Sequence, residues 1–181
     1  MLYVFQCNHD PGMCSTSQGG SGANACFVLE PENLASRLAV VPSDRPPIDN
    51  EIQVVGWLER DDGVPSSSFD SFFDDERFLS LPDEEVQSVK LCTKLGGLPS
   101  WIQGASEVPK DGWRFIGQLD STHSFLSPPN RQESWVQSDK ERWEGRTHYA
   151  DGPNFGDGGI AYLFLKQTES VPIGWFFWQC G

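Results

Sequence analysis

The chain has 181 residues, a formal net charge of −13 and an aromatic content of 12%, with seven Trp and twelve Phe. This length predicts a single domain that buries about 70% of its unfolded surface, so neither disulfides nor a metal are required for stability. No apolar run approaches the roughly 18 residues of a membrane span, and the N-terminus lacks the features of a signal peptide. We therefore expect a cytoplasmic protein with reduced cysteines that binds neither membranes nor, given its acidity, nucleic acid.

The first third of the chain alternates strand and turn signals. "LYVFQC" predicts a short buried strand, "NHDPG" a turn and "STSQGGSGANA" a loop before a second strand at "CFVL". "PENLASRLAVV" predicts a helix over 31–41, because Pro31 suits a first helical position and Leu34, Leu38 and Val41 have helical spacing. "EIQVVGWLER" alternates in the manner of a strand over 51–60.

"SSSFDSFFDDERFLSL" is the best candidate for a second helix. Ser68 or Asp70 would cap it, and one face would carry the apolar side chains of Phe69, Phe72, Phe73 and Leu79. Two interpretations stay open. The aromatic side chains pack inward while the carboxylates face water, or the segment presents an exposed aromatic and acidic docking surface.

The negative charge is concentrated in one stretch. Between Asp44 and Glu85 there are thirteen acidic and three basic residues, so that 3 − 13 = −10. Such a cluster attracts basic partners and raises their association rate, or it only keeps the protein soluble. The candidate binding residues in this stretch are Asp61, Asp62, Phe69, Asp70, Phe73, Asp74, Asp75 and Glu76.

An internal repeat lies in the second half of the chain. "GGLPSWIQGASEVPKDGWRF" aligns without gaps with "GGIAYLFLKQTESVPIGWFF", 62 positions later. Each unit has the pattern of a strand, a polar turn and an aromatic strand, which predicts a β-hairpin formed twice, near 93–120 and 155–181. The predicted fold class is α+β, mainly antiparallel β with two related hairpin units and a few short helices, in one domain over 1–181.

"TKLGGLPSWIQ", "FIGQLDS" and "NFGDGGIAYLFL…FFWQCG" resemble the YwqG-like family, a bacterial domain of unknown function, as does "LYVFQCNHDPGMC" at the start. The resemblance implies no particular reaction. Relatives of this type often carry a Cys-Pro-x-Cys-like zinc-knuckle turn in each hairpin. Here the turns are "SEVPKDGW" and "TESVPIGW", which keep the prolines and lack the cysteines. The resemblance therefore argues against zinc in these two hairpins.

Four residues near the N-terminus have metal-ligating side chains: Cys7, His9, Cys14 and Cys26. Their spacing lacks the paired C-x₂₋₄-C of structural zinc sites, so we favour buried thiols over a metal and predict no cofactor. Because "FQC" and "WQC" look like equivalent strand ends, Cys7 is expected to meet Cys180 in the core. Cys14 with His9 or His148 remains an open thiolate–imidazolium pairing, but no motif supports catalysis.

Glutamines recur after strand residues at Gln6, Gln103, Gln118 and Gln179. They either line a polar groove beside Trp101, Trp113 and Trp175 or hydrogen-bond adjacent strands within the domain. We slightly favour the second interpretation.

Two functional hypotheses follow. The first is a non-enzymatic acidic binding domain, monomeric or weakly dimeric, whose concrete form is an immunity or antitoxin-like protein that masks a basic toxin domain. The second is a small-molecule-binding or metal-dependent enzyme with its site between the repeat halves. Its lining would comprise Trp101, Gln103, Gln118 and Asp120.

Overall fold

The computed structural model describes residues 1–7, 14–29, 54, 56–124, 146–148, 155, 156 and 158–181, with only the backbone described for 122–124 and 146–148. The fold class is confirmed, since the strands form antiparallel sheets and the helices are few and short. The helix predicted over 31–41 lies outside the described residues. The strand predicted over 51–60 is wrong for Gly56–Arg60, which have no regular structure.

The central element is a four-stranded antiparallel sheet in the order β3-β4-β7-β8. Its strands are β3 (Lys94–Leu95), β4 (Trp113–Asp120), β7 (Ile160–Lys166) and β8 (Ile173–Gln179). Strands β5 (Thr122–Ser124) and β6 (Arg146–His148) form a separate antiparallel pair. A strand is confirmed at the N-terminus as β1 (Leu2–Gln6), which pairs with β2 (Asn24–Val28). The prediction that this strand is buried is wrong, since its residues are half-buried or exposed.

The first repeat unit departs from the predicted pattern. "GGIAYLFL" forms β7 as expected, whereas the aligned "GGLPSWIQ" forms no strand. The two-residue strand β3, which directly precedes this segment, pairs with Gly117 and Gln118 of β4, and β4 takes β7 as its main partner. Pro99 explains the difference, because proline cannot donate to a sheet ladder and is excluded from central strands.

Both faces of β7 are buried, which accounts for its unbroken apolar sequence. On one face Tyr162 and Phe164 pack with Trp101, Phe115 and Phe177. The other face packs against the β1–β2 hairpin through a second cluster, whose members include Ala161, Leu163, Phe176, Leu2, Val4 and Cys26. The domain therefore has three layers: a helix-and-loop layer, the main sheet and the N-terminal hairpin.

The predicted second helix is confirmed as helical but is divided in two. A 3-10 helix spans Ser66–Phe73, and helix α1 spans Asp75–Phe78. Neither Ser68 nor Asp70 caps it, since Pro65 precedes the 3-10 helix and the Asp74 side chain caps α1. Helix α2 follows at Asp83–Ser88.

The apolar face of this segment contributes to a third cluster with Val64, Val89 and Leu98. Phe72 is 1% exposed and fills this cluster. Leu79 was expected on the same face, but it is 78% exposed because it lies beyond the last turn of α1. None of the helices in the described part of the chain is long and apolar enough to cross a bilayer.

Candidate functional site

A groove of about 980 Å³ runs between the helical segment and the loop that leads into β4. Its floor is aromatic, with the rings of Phe115 and Phe164 in edge contact at 5.6 Å between centroids. Phe73 packs beside Phe115 at 6.1 Å. Phe69 forms part of the helical wall and is 43% exposed. An open apolar surface of this kind is available to a partner without any rearrangement of the core.

The acidic wall is positioned by the junction of the two helices. Asp74 accepts a hydrogen bond from the backbone N–H of Arg77 at 3.0 Å, as an N-cap residue does. Asp75 and Glu76 occupy the first turn of α1, where the helix dipole favours negative charge. The Nε1 of Trp101 donates to the carbonyl of Phe72 at 2.7 Å and anchors the junction to the core. The backbone of α1 thus places all three residues at the groove rim, and the helix cap holds the Asp74 carboxylate itself.

The opposite wall is the segment 105–114. It begins with a turn in which Val108 N–H donates to the Ala105 carbonyl at 3.1 Å. It ends at Trp113, whose ring lies 5.8 Å from that of Trp175 and 6.0 Å from the Nζ of Lys166. These contacts join the wall to β7 and β8, so that both sides of the groove rest on the main sheet.

The groove has an excess of negative charge. Four carboxylates line it, those of Asp74, Asp75, Glu76 and Asp111. Two cations, Lys110 and Arg114, also line it, which gives 2 − 4 = −2. None of these four carboxylates is in a salt bridge with another residue of the described part of the chain. They remain available to a basic ligand.

The structure brings together five of the residues predicted to bind a partner. Phe69, Phe73, Asp74, Asp75 and Glu76 line the groove. Asp70 is exposed on the same 3-10 helix.

Asp61 and Asp62 lie outside the groove lining and have local structural roles. Asp61 accepts a hydrogen bond from Gly63 N–H at 2.8 Å in a turn. Asp62 forms a salt bridge with Lys94 at 2.9 Å and accepts from Leu98 N–H at 2.7 Å. Asp62 therefore holds the segment around β3 in place.

The second group of predicted site residues comprises Trp101, Gln103, Gln118 and Asp120. Of these, Trp101 and Gln103 belong to the loop 98–104, and Gln118 stabilises it. Gln118 is fully buried; its Oε1 accepts from Ser100 N–H at 2.8 Å and its Nε2 donates to the Cys92 carbonyl at 2.9 Å. Tyr162 Oη donates to the Ser100 carbonyl at 2.9 Å and accepts from Ile102 N–H at 3.1 Å. These hydrogen bonds satisfy backbone N–H and C=O groups of the loop, which in a β-strand would have bonded to a neighbouring strand.

Gln179 in β8 repeats the arrangement of Gln118, two strands away from β4 in the sheet. Its Oε1 accepts from Gln103 N–H at 3.0 Å and its Nε2 donates to the Gly104 carbonyl at 2.9 Å. Gln103 is exposed and donates to the Cys180 carbonyl at 2.7 Å, while Asp120 is 4% exposed at the end of β4. The buried glutamines thus serve internal hydrogen bonding, the interpretation favoured from the sequence.

The cysteines do not form one cluster but lie in several parts of the fold, with Cys7 and Cys14 close together. The Sγ atoms of Cys7 and Cys14 lie 3.5 Å apart. Cys26 packs against Gly174 in β8, and burial raises the pKa of its thiol to about 11, which disfavours the thiolate form that metals bind. Cys180 packs against Gly156. Cys7, which was expected to meet Cys180 in the core, thus lies beside Cys14, while Cys180 lies beside Gly156, and all five cysteines are free thiols.

His9 lies outside the described residues, and for His123 and His148 only the backbone is described. Within the described ranges, no group of three or more His, Cys, Asp or Glu side chains is placed to hold a metal ion.

The 105–114 wall of the groove was missed by sequence reasoning. "VPKDGW" was interpreted as a hairpin turn, since its Asp-Gly pair is a strong turn signal. Only the packing of Trp113 on Trp175 shows that this turn faces the helical segment. No local pattern in the sequence carries that information.

Comparison of the chain with protein-family models, with curated proteins and with solved structures gave no significant match. The resemblance to the YwqG-like family therefore stays a prediction from the motifs.

Proposed function

We propose that this chain is a non-enzymatic binding domain that captures a basic, partly apolar segment of a protein partner in the groove. The observation that carries the proposal is the position of the 43% exposed Phe69 beside the carboxylates of Asp74, Asp75 and Glu76. Aromatic side chains supply much of the affinity at protein interfaces, and charges at the rim supply selectivity and fast association.

The chemistry of the lining supports binding more than turnover. Ser106 is the one hydroxyl side chain among the described lining residues, and neither histidine nor cysteine accompanies it there. Activation of a serine nucleophile normally requires an adjacent base within hydrogen-bond reach. The groove residues instead combine aromatic surface with carboxylates, the combination that suits Lys or Arg side chains with apolar neighbours.

The concrete form of the proposal is an immunity or antitoxin-like protein that masks a basic toxin domain. Its support is the charge of −10 between Asp44 and Glu85 together with the place of Asp74–Glu76 at the groove rim. Compact acidic surfaces imitate polyanionic substrates and associate quickly with basic proteins. Membership of the YwqG-like family is compatible with this role.

The test uses a labelled peptide of alternating Lys and Leu, with a Gln and Leu peptide as the uncharged probe, and fluorescence anisotropy as the readout. We expect the basic peptide alone to bind, and its affinity to fall at raised salt because rim charges are screened. Asp74→Asn, Asp75→Asn and Glu76→Gln together should weaken binding about 10-fold, or ~1.4 kcal/mol. Asn at position 74 retains the helix cap.

The matched control removes three exposed carboxylates elsewhere, by Asp83→Asn, Glu84→Gln and Glu169→Gln. This variant has the same net charge and should retain affinity within about twofold. Equal weakening by both triple variants would show that the peptide responds to net charge alone, and the groove would be excluded as the site. Phe69→Ala should weaken binding without a loss of stability, since its ring is already half exposed.

A further inference from the structure

We propose that Cys7 and Cys14 are a redox modification site, a pair of thiols that closes to a disulfide and reopens on reduction. The Sγ atoms are 3.5 Å apart, and the contact is partly buried. A disulfide requires an S–S distance of about 2.05 Å, so the sulfurs must approach by about 1.5 Å for the bond to form. The site is separate from the groove and does not depend on the binding function.

The backbone holds both cysteines in this arrangement. Cys7 follows β1 directly, and its N–H donates to the Ala23 carbonyl at 2.8 Å. The Cys14 carbonyl accepts from Thr16 N–H at 2.7 Å. The Nδ2 of the buried Asn24 donates to the Thr16 carbonyl at 2.7 Å. The end of β1 and the turn that begins at Cys14 are therefore fixed relative to β2, which keeps the two sulfurs close.

The other three cysteines lie in different environments. Cys26 is against Gly174, and its raised pKa leaves it mostly as the less reactive thiol at neutral pH. Cys180 is against Gly156, and the Cys92 thiol donates to the Lys90 carbonyl at 3.7 Å. Proximity therefore selects Cys7 and Cys14 as the pair to be linked.

The oxidant is hydrogen peroxide, and the step balances as follows. The thiolate of one cysteine attacks a peroxide oxygen, the O–O bond breaks, and a sulfenic acid and a hydroxide form; the hydroxide takes the proton of the thiol to become water. The second thiolate then attacks the sulfenic sulfur and displaces a hydroxide, which is protonated to a second water. Two thiols lose two electrons and two protons, and the peroxide is reduced to two waters.

Reduction follows thiol–disulfide exchange with a small thiol such as glutathione. One glutathione thiolate attacks a sulfur of the disulfide and forms a mixed disulfide, and a second glutathione releases the protein thiol as oxidised glutathione leaves. Both protein thiols are restored by the two glutathione molecules.

Closure of this disulfide would fix the loop that is docked on β8. Trp178 N–H donates to the Ser17 carbonyl at 3.1 Å, and the Trp175 ring packs against Gly19 and Gly20. A covalent link from Cys14 to the end of β1 adds to these contacts and restricts the turn. We therefore expect slower amide hydrogen exchange at Thr16 in the oxidised protein.

The experiment treats the intact chain with hydrogen peroxide, blocks remaining thiols with N-ethylmaleimide and cleaves before aspartate. Cleavage at Asp10 separates Cys7 in residues 1–9 from Cys14 and Cys26 in residues 10–43. We expect the two peptides to be joined, with Cys26 alkylated, and to separate on treatment with dithiothreitol. Cys26→Ser should keep the link, and Cys14→Ser should abolish it together with the change in Thr16 exchange.

Several results would overturn the proposal. One is alkylation of both Cys7 and Cys14 after peroxide treatment of the wild-type chain, a result that needs no variant to fold. Another is a link from Cys7 to Cys26 or between two chains. Stoichiometric zinc in protein purified without chelators, lost in Cys14→Ser and protective against peroxide, would assign the pair to a metal site instead.

Discussion

The two repeat units share their spacing of glycines, prolines and aromatic residues but fold differently. In the second unit the residues after the Gly-Gly pair form β7, the most deeply buried strand of the sheet. In the first unit they form the loop 98–104, which lies on that strand and is held by Gln118, Tyr162 and Gln179. Equivalent turn residues therefore fix where a segment turns, while the residues between them decide whether it joins the sheet.

The Gly-Gly pair that opens each repeat unit shows both what the two units share and where they differ. Gly96 and Gly158, 62 positions apart, both have left-handed backbone conformations, with φ of 71° and 63°. Their immediate successors differ. Gly97 also has a positive φ, of 69°, whereas Gly159 is fully enclosed by backbone. The first glycine of the pair therefore has the same backbone conformation in both units, whereas the second glycine has different surroundings in each unit.

The largest effect is expected for Gly159→Ala. A Cβ there would collide with the carbonyl of Phe155 and lie 2.7 Å from that of Gln179, and both of these atoms belong to the backbone, Gln179 being the last residue of β8. We expect a loss of about 3 kcal/mol or more in the free energy of unfolding, measured by urea denaturation.

Gly97→Ala is the matched change in the first unit. Its cost should be about 1–2 kcal/mol from the left-handed backbone, and the new methyl group would also displace the Asp62 carboxylate, which bonds to Lys94 and to Leu98 N–H. If the two variants lose the same stability, the two glycines have one common role and the proposed divergence is wrong.

A second prediction concerns the side chains that hold the loop. Gln118→Leu leaves the partly buried Ser100 N–H and Cys92 carbonyl without their partner, and should cost about 2–3 kcal/mol of unfolding free energy. Gln103→Ala removes one exposed hydrogen bond and should cost about 0.5–1 kcal/mol. Thermal unfolding of both variants measures the difference. Similar small losses would mean that the loop does not depend on the buried amide.

The smallest effect is a pH dependence at the second unit, where Gly174 packs against Cys26. Burial raises the pKa of this thiol from 9.0 to about 11. Because the folded value lies above the unfolded value, the associated stability is fully present below pH 9 and is lost as the pH rises towards 11. Cys26→Ala should therefore show a flatter decline in stability between these two pH values.

The measurement is urea unfolding of both proteins at several alkaline pH values, read as a difference. Tyr162, whose pKa burial also raises, is present in both proteins, so its contribution cancels. Alkylation of Cys26 by iodoacetamide should accelerate over the same pH range. Parallel stability curves for the two proteins would contradict a buried thiol at this position.

Short-range sequence patterns were sufficient to predict several features of the fold. The strands at Leu2–Gln6 and Ile173–Gln179 and the helical segment that contains Phe72 follow from apolar spacing and turn residues, which act within a few positions along the chain. The acidic and aromatic helical segment that carries Phe69, Phe73 and residues 74–76 is likewise visible in the sequence, whereas a binding role for these residues stays a prediction.

The tertiary structure alone decided the remaining features. It placed the 105–114 wall opposite that helix, brought the thiols of Cys7 and Cys14 together and separated Cys26 from them. It also gave Gln118 and Gln179 backbone partners up to 76 positions away. These relations depend on how strands pair and stack across long sequence separations. The amino-acid pattern determined which segments turn and which are apolar, and packing determined what each of them meets.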